Sequence, residues 1–259
     1  MVKQKLIDSH SHIFSEDFDQ DRTEVLNAAH SEGVIALIES AIDMETALKA
    51  LRNIGTIDTK LKIFISIGFN PCELNRDVLQ SHIEVIKTNI DRIVAIGEVG
   101  LDFFYIKEAV SRETQKCYFK KFIELSKENN LPLIIHSRSA GKYAIDVLIK
   151  NKAEKVLMHA FDGSFNSAKK GLDHGYYFSI PPSVLHSTQK RKLTSKLPVE
   201  QILLETDSPA LSPVRGLRNE PKNLLLSLYE VSKIKGLEPA EVAELTYRNT
   251  KRLFNLKNI

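Results

Sequence analysis

The chain has 259 residues, 42% of them hydrophobic, which is enough for one (β/α)8 barrel of about 250 residues or for two small domains. Its formal net charge of +3 at pH 7 is too small to select an anionic partner, so such binding would depend on local clusters of Lys and Arg. Cys72 and Cys117 are too few for a disulfide framework, and no apolar run approaches the roughly 18 residues of a membrane span.

The N-terminal residues are charged and lead directly into an apolar run, which leaves no room for a signal peptide. The two cysteines are then expected to be reduced thiols. We therefore expect a cytoplasmic protein that has no membrane partner and is a monomer or a weak oligomer.

Eight short apolar runs alternate with segments of helical periodicity along the chain. We interpret the runs as strands at residues 5–8, 34–38, 63–68, 93–96, 133–135, 156–158, 176–180 and 202–206. Helices are predicted at residues 19–31, 77–89, 111–129, 141–151, 164–174, 221–235 and 239–254, together with one that Asp43 caps and that ends before Gly55.

Runs of Val, Ile and Leu that are separated by helical crossovers indicate parallel strands buried on both faces. Eight of them predict an α/β fold, a single (β/α)8 TIM barrel over residues 1–259. A doubly wound open sheet is the alternative. No linker or repeat divides the chain, so we expect one domain.

The first run ends in Leu6-Ile7-Asp8-Ser9-His10-Ser11-His12. Side chains at i and i+2 of an extended strand point to the same face, so His10 and His12 can reach one point in space. The two imidazoles are therefore candidate metal ligands. The alternative is a pair of unrelated polar residues where a strand meets a loop.

Polar side chains also close other predicted strands, and in a barrel the strand C-termini converge on the rim that carries the active site. These residues are His10, His12, Asn70, Glu98, His136, His159 and Asp207. The other histidines fall in predicted helices or loops, where solvated surface is the expectation: His30, His82, His174 and His186.

Four histidines and two carboxylates exceed the three protein ligands of an ordinary catalytic zinc site. They suit two divalent cations about 3.5–4 Å apart that share a bridging carboxylate. Such a pair can acidify a water and neutralise charge on a phosphate ester. The donor types suit Zn, Mn, Fe or Ni, whereas Mg sites are usually richer in oxygen, so the metal stays open. The alternative is a set of satisfied polar residues in the core.

Several motifs resemble the TatD family of metal-dependent hydrolases and deoxyribonucleases in the amidohydrolase superfamily. The resemblance runs along nearly the whole chain, and its most specific parts are a G-E-x-G-L-D stretch and an E-T-D-x-P stretch in this order. The motifs are Asp8-Ser9-His10-Ser11-His12, Ile96-Gly97-Glu98-Val99-Gly100-Leu101-Asp102, Ile135-His136-Ser137-Arg138, His159-Ala160-Phe161-Asp162-Gly163-Ser164, Leu204-Glu205-Thr206-Asp207-Ser208-Pro209 and Arg215-Gly216-Leu217-Arg218-Asn219-Glu220-Pro221.

The resemblance implies a role for each ligand. His10, His12, Glu98 and Asp207 would hold one metal, and His136 and His159 the other, with Glu98 as the bridge. Asp207 would also orient or deprotonate the nucleophilic water, which makes Glu98 and Asp207 the catalytic residues. The family further implies a (β/α)8 barrel and Mg-, Zn- or Mn-supported hydrolysis of DNA, often as a 3′ to 5′ exonuclease that favours single strands.

One departure from the family bears on the substrate. The family commonly has G-x-H-P after the third strand, where this chain has Gly68-Phe69-Asn70-Pro71. Asn70 donates and accepts hydrogen bonds but cannot carry charge or act as a general acid. If the family histidine contacts a scissile phosphate, we expect lower affinity or rate here, or a different substrate.

Substrate contacts are expected from cations and rings near the rim. Arg138 can clamp a phosphate with two hydrogen bonds, and Arg215 lies in the loop after the last strand, which often binds phosphate in barrels. For Arg218 we weigh a structural role equally with a contact to substrate. Candidate rings for stacking on bases are Phe103, Phe104, Tyr105 and Phe161, and the run Lys190-Arg191-Lys192 is expected to be a solvated helix face.

Three functions are compatible with these residues and motifs. The first is a deoxyribonuclease that acts on single-stranded DNA or 3′ ends. The second keeps the same centre but cleaves another ester or amide, for example as a D-aminoacyl-tRNA deacylase. The third is a binding module on a decayed barrel, which the complete set of ligand positions disfavours.

Overall fold

Short runs of Val, Ile and Leu form the strands of a computed structural model that describes residues 4–257 and 259. Over these residues the chain forms eight strands, each parallel to the next in sequence order. They are β1 (Leu6–Ser11), β2 (Val34–Ala41), β3 (Lys62–Ile67), β4 (Ala95–Gly100), β5 (Leu133–His136), β6 (Val156–Met158), β7 (Tyr177–Ile180) and β8 (Ile202–Leu204).

Helices connect successive strands and cover the outside of the sheet. In the described part of the chain they are α1 (Arg22–Ser31), α2 (Met44–Asn53), α3 (Arg76–Thr88), α4 (Ala109–Asn129), α5 (Gly141–Lys150), α6 (Phe165–Asp173), α7 (Thr188–Lys196), α8 (Leu224–Lys235) and α9 (Pro239–Phe254). Asp43 caps α2 as predicted, because its side chain accepts the Thr46 N–H. None of the described helices has the length and hydropathy needed to cross a bilayer.

The sheet closes where β1 meets the segment that follows β8. The Asp207 N–H donates to the His10 carbonyl over 2.9 Å, and the His12 N–H donates to the Ser208 carbonyl over 2.8 Å. The Ser9 hydroxyl donates to the carbonyl of Leu204 over 2.9 Å. We call this contact the closing seam. It confirms the predicted (β/α)8 barrel and excludes the open sheet.

Successive side chains of each strand point alternately into and out of the barrel, so the apolar core has two layers. The outer layer lies between the sheet and the helices, and the inner layer is enclosed by the strands together with Leu253 and Phe254 of α9. The inner strand residues are Ile7, Ala36, Ile38, Ala95, Ile134, Leu157 and Leu203.

Four strands, β1, β2, β4 and β5, reach further toward the rim than their predicted apolar runs. The fourth run was predicted to end before Glu98, whereas β4 continues to Gly100, and β1 continues to Ser11. The rim end of the barrel interior is polar, so hydrophobicity stops before the strand does. Glycines make this approach possible: a Cβ at Gly68 would lie 2.1 Å from the Glu98 carbonyl oxygen, and one at Gly100 would lie 2.1 Å from the His136 carbonyl oxygen.

Candidate metal centre

Glu98 lies at the middle of a cluster built from the ends of five strands. Its Oε2 is 3.0 Å from His10 Nε2 and 3.7 Å from His159 Nε2, and its Oε1 is 2.5 Å from His136 Nδ1. Asp207 Oδ1 completes the cluster at 3.3 Å from the Nε2 atoms of both His10 and His12. The structure therefore brings together all six side chains that the sequence predicted as ligands.

Burial sets the strength of these interactions. His10 is fully buried, and Glu98, His159 and Asp207 are 6%, 6% and 9% exposed. Each of these four offers one ligand atom, and those atoms all lie within 4.8 Å of one another. At such low exposure, charges that face each other are poorly screened by water.

Ser40 contacts the Nδ1 atoms of His10 and His12. In each ring this is the outer nitrogen, the one that faces away from the cluster. The Ser40 carbonyl accepts from His12 Nδ1 over 2.7 Å, and its hydroxyl lies 3.0 Å from His10 Nδ1. Because a carbonyl oxygen can only accept, His12 Nδ1 carries the proton and the Nε2 lone pair of a neutral ring faces the cluster. In the neutral ring that nitrogen would meet Asp207 Oδ1, 3.3 Å away, as a second acceptor, and such a pair needs a proton or a cation between its members.

Carboxylates hold the outer nitrogens of the other two imidazoles. His136 Nε2 is 3.0 Å from Asp102 Oδ2, and His159 Nδ1 is 3.4 Å from Glu205 Oε2. The opposite nitrogens, His136 Nδ1 and His159 Nε2, face Glu98. Metal-bound histidines usually have their second ring nitrogen held by such partners. The inward-facing ring nitrogens and the carboxylates of Glu98 and Asp207 thus face one another, so the residues present fit a bound cation.

The cluster shifts the pKa of its members. Burial works to raise the pKa of Glu98, but the imidazoles of His159 and His136 outweigh it and hold that pKa well below its usual range. Burial lowers the pKa of His136, and the carboxylates of Glu98 and Asp102 reverse this and raise it to about 10. The same competition raises the pKa of His10 well above its usual value. A metal ion must therefore displace protons from these imidazoles.

Asp8 positions the Asp207 segment from inside the closing seam. Its carboxylate accepts the Thr206 N–H over 2.8 Å and the Thr206 hydroxyl over 2.5 Å. Burial raises the pKa of Asp8 to about 7. Asp207 itself has a positive φ of 56°, a conformation that Asp tolerates better than most side chains. The seam thus fixes an uncommon backbone geometry at a ligand.

Three supporting residues were missed by sequence reasoning. Glu205 also accepts the Ala160 N–H and the Ser179 hydroxyl, each over 2.7 Å, which fixes the loop after His159. Glu205 stands beside Asp207 in the E-T-D motif, and Asp102 ends the G-E-x-G-L-D motif, so both had a sequence signal. Ser40 had none, because it follows the apolar run predicted at residues 34–38 and belongs to no recognisable motif.

Asn70 and Arg138, predicted to contact substrate, lie outside the cluster. Asn70 is exposed, and its Oδ1 accepts the Cys72 N–H over 2.9 Å. The Arg138 guanidinium lies 4.0 Å from the ring centre of Phe104 and 5.1 Å from that of Tyr105. These rings are 44% and 62% exposed, and we call the three side chains the rim platform.

The loop after β8 carries the other two arginines. Arg215 is exposed there. Arg218 donates to both carboxylate oxygens of Asp21 and to Glu220, so it has the structural role. Among the described residues, neither Arg138 nor Arg215 hydrogen-bonds to any of the six cluster residues.

Three expectations about surface residues were wrong. His82 is only 4% exposed, and its ring packs edge-on against Phe69 in the core. Phe161 and Phe103 are only 2% and 6% exposed, so they pack in the core and do not offer a face for stacking. Lys190 is not solvated: its Nζ donates to the Ala160 carbonyl over 2.7 Å, and burial lowers its pKa. Neighbouring Arg191 pairs with Glu230 while its side chain stays 40% exposed, and Lys192 is exposed, so the expectation fails at Lys190.

A (β/α)8 barrel with a buried His, Glu and Asp cluster at the C-terminal rim defines the class of the protein, a metal-dependent hydrolase with an amidohydrolase-type fold. The model of the family described as "TatD related DNase" matches residues 7–255. The chain belongs to the TatD family.

Relatives support this assignment over the full length. Deoxyribonuclease TATDN3 from Homo sapiens is 40% identical over 259 residues, covering 96% of this chain and 94% of that protein. An uncharacterized metal-dependent hydrolase from Methanocaldococcus jannaschii is 35% identical, covering 96% of this chain and 97% of that one. The crystal structure of a TatD family hydrolase from Entamoeba histolytica shares the fold with a TM-score of 0.88 at 21% identity, covering 98% of this chain and 99% of that chain.

Proposed function

We propose that the protein is a metal-dependent deoxyribonuclease that removes nucleotides from the 3′ end of single-stranded DNA. The observation that carries the proposal is the cluster of four imidazoles and two carboxylates in which every imidazole has its outer nitrogen held by the protein. Deoxyribonuclease TATDN3 from Homo sapiens is 40% identical to this chain, and its name supports DNA as the substrate.

Two divalent cations, Mg, Zn or Mn, are proposed to bind at the cluster. His10, His12, Glu98 and Asp207 would hold one, and His136 and His159 the other. Glu98 Oε2 lies near His10 and His159 and its Oε1 lies near His136, so this carboxylate is within reach of both sets of ligands. When bound, such cations supply Lewis acidity toward water and toward the oxygens of a phosphodiester.

Asp207 is proposed to orient the attacking water. The imidazoles of His10 and His12 hold the pKa of Asp207 below its usual range against the effect of burial, so the carboxylate is ionised at neutral pH and accepts a hydrogen bond from water. The closing seam fixes the backbone on both sides of Asp207, which keeps this acceptor in place.

The rim platform is proposed to hold the DNA strand. Arg138 donates to phosphate, and the exposed faces of Phe104 and Tyr105 accept unpaired bases, which explains a preference for single strands. The Asn70 amide and Arg215 would donate to neighbouring phosphates. Asn70 cannot add charge, so we expect weaker phosphate binding at that position than a histidine would give.

The experiment measures nucleotide release from single-stranded oligonucleotides labelled at either end, with Mg, Zn or Mn. His136→Ala and Asp207→Ala are expected to bring release down to the level of the protein without metal, and elemental analysis should show lowered metal content. His174→Ala is the matched control, because His174 is exposed at the end of α6, where its contacts are the Lys170 carbonyl and the ring of Tyr176, neither of which belongs to the six cluster residues.

Release that starts from the 3′ label supports the stated polarity, and release from the 5′ label reverses it. No release with any of the metals would contradict the proposal. Hydrolysis of D-aminoacyl-tRNA by the same preparation would then assign the centre to another ester.

A further inference from the structure

A cavity of about 480 Å³ opens beside the metal centre and shares His12 as part of its wall. Its volume lies within the roughly 300–1,000 Å³ of small-molecule sites. Apolar surface comes from Phe14, Ile42 and Pro209, and none of these residues belongs to the proposed metal site or to the rim platform. The cavity is therefore a separate place where part of a substrate can bind next to the reacting bond.

Glu39 contributes a buried acceptor to this cavity. The residue has no exposed surface, and its Oε2 accepts the Phe14 N–H over 3.2 Å. Its Oε1 has no hydrogen-bond partner anywhere in the described residues. Leaving a buried carboxylate oxygen unpaired is costly, so a partner is expected to come from a bound molecule.

The charge of the walls excludes phosphate. Besides Glu39, the cavity is lined by Glu16, Asp43 and Glu45, and its one lysine, Lys49, already pairs with Asp19. A phosphate would meet several carboxylates and no available cation. The group that enters must instead carry N–H donors.

The unpaired Oε1 of Glu39 favours a planar amino group over an ammonium as its hydrogen-bond partner. An ammonium has three donors to satisfy, whereas the exocyclic amino group of a base has two and is attached to a flat ring. Glu39 offers one unpaired oxygen. Asp43 and Glu45 are exposed to water, which screens their charge, and Asp43 Oδ1 already accepts the N–H and the hydroxyl of Thr46 over 2.7 and 2.8 Å. The apolar walls suit the faces of a ring.

We propose that this cavity is a specificity pocket for an amino-bearing nucleobase at the cleaved end of the DNA, with Glu39 accepting a hydrogen bond from the base. The inference rests on the proposed nuclease function. Cytosine presents its N4 amino group to Glu39, whereas uracil presents the O4 acceptor at the same ring position and meets repulsion.

The test compares single-stranded oligonucleotides that differ only in two 3′-terminal nucleotides, deoxycytidine or deoxyuridine, which removes any effect of the thymine methyl. The wild type is expected to hydrolyse the cytosine substrate with roughly tenfold higher kcat/KM, the size of one base contact. Glu39→Gln adds an amide donor that serves O4, so the ratio should fall to about one while metal content stays unchanged. Glu113→Gln is the control, because Glu113 lies on the surface of α4 and pairs only with Lys116 among the described residues.

Binding of the free nucleosides deoxycytidine and deoxyuridine, measured by calorimetry, gives a readout without turnover. Equal rates and equal affinities for the two bases in the wild type overturn the inference, and so does discrimination that survives in Glu39→Gln. If Glu39→Gln fails to fold, the wild-type comparison alone decides. Nucleoside discrimination without any hydrolysis of DNA would reject the nuclease and retain the pocket. Tighter binding of methylammonium than of deoxycytidine would assign the pocket to an amine and overturn the inference.

Discussion

Asp102 connects the metal centre to the rim platform through its two carboxylate oxygens. Its Oδ2 lies 3.0 Å from His136 Nε2, and its Oδ1 accepts the N–H groups of Phe104 and Tyr105 over 2.8 Å each. One side chain therefore orients a ligand and fixes the loop that would carry the bases. Burial works to raise its pKa, and His136 and the two N–H donors lower it, so it is ionised at neutral pH.

Asp102→Asn tests this connection at the scale of one residue. The amide keeps the size of the side chain but has half of the acceptor capacity and no charge, so His136 loses its fixed orientation. We expect a 10- to 100-fold loss of metal affinity by calorimetry, roughly the effect of losing such a supporting partner. The control is Asp91→Asn in an exposed turn, which should leave affinity unchanged. Equal affinity of Asp102→Asn and wild type would show that His136 is oriented by packing alone.

The sequence identified ligands better than the residues that support them. His10, His12 and Glu98 were found because few side-chain types bind divalent cations and because these stand at strand ends. Ser40 was not found, since it acts across the sheet on His12 and His10, which are 28 and 30 residues away. Glu39, one position earlier, was not singled out either, because it follows the apolar run predicted at residues 34–38.

Helix α7 shows why a charged run is a poor guide to exposure. Lys190 and Gln189 both turn toward the loop after β6, where they donate to the carbonyls of Ala160 and Gly163 over 2.7 and 3.0 Å. A long aliphatic stem lets a lysine cross a buried layer and still reach a polar partner. The helix thereby secures the loop that begins at His159.

Lys190→Met tests this attachment at the scale of the element. Methionine keeps the aliphatic stem but leaves the Ala160 carbonyl without its donor, so we expect the free energy of unfolding to fall by about 1–3 kcal/mol in chemical denaturation. Lys192→Met on the exposed face of the same helix should change it by less than about 0.5 kcal/mol. Similar effects of both substitutions would mean that the Lys190 contact contributes nothing beyond a surface charge.

The order and type of the elements could be predicted because apolar runs and helical periodicity report burial. The ends of the strands could not be predicted, since β4 extends past Glu98 into the polar rim, where hydrophobicity no longer marks the strand. Similarly, the helix predicted from residue 19 begins at Arg22, after a turn of 3-10 helix over Glu16–Phe18. Segment 186–196 contains α7, and a helix face was expected there at residues 190–192, but the high charge left no apolar periodicity from which to predict the ends of the helix.

The six cluster residues come from five strands around the whole barrel, so the centre exists only when the entire sheet is closed. We propose that residues 1–259 unfold as one domain and that bound metal stabilises this domain by mass action. Free metal at 100 times its dissociation constant would contribute about 2.7 kcal/mol. Chelation should then lower the melting temperature by roughly 5–10 °C in scanning calorimetry, within a single transition.

The decrease in melting temperature on chelation should depend on pH. Because the pKa of His136 is about 10 in the metal-free protein, protons compete with metal at neutral pH and compete less as the pH rises. We therefore expect a larger shift on chelation at pH 8 than at pH 6, with protons released on rebinding. Two separate transitions, or the same shift at both pH values, would contradict this account.

The closing seam also sets the order of events during translation. Asp8 and Thr206, which it joins, are 198 residues apart, so at about 5–20 residues per second the first strand emerges roughly 10–40 s before its partner. Throughout that interval β1 presents an unpaired edge on one side, the kind of surface that chaperones cover. On the ribosome, the nascent polypeptide therefore cannot assemble the six-residue cluster until the segment that carries Asp207 has emerged.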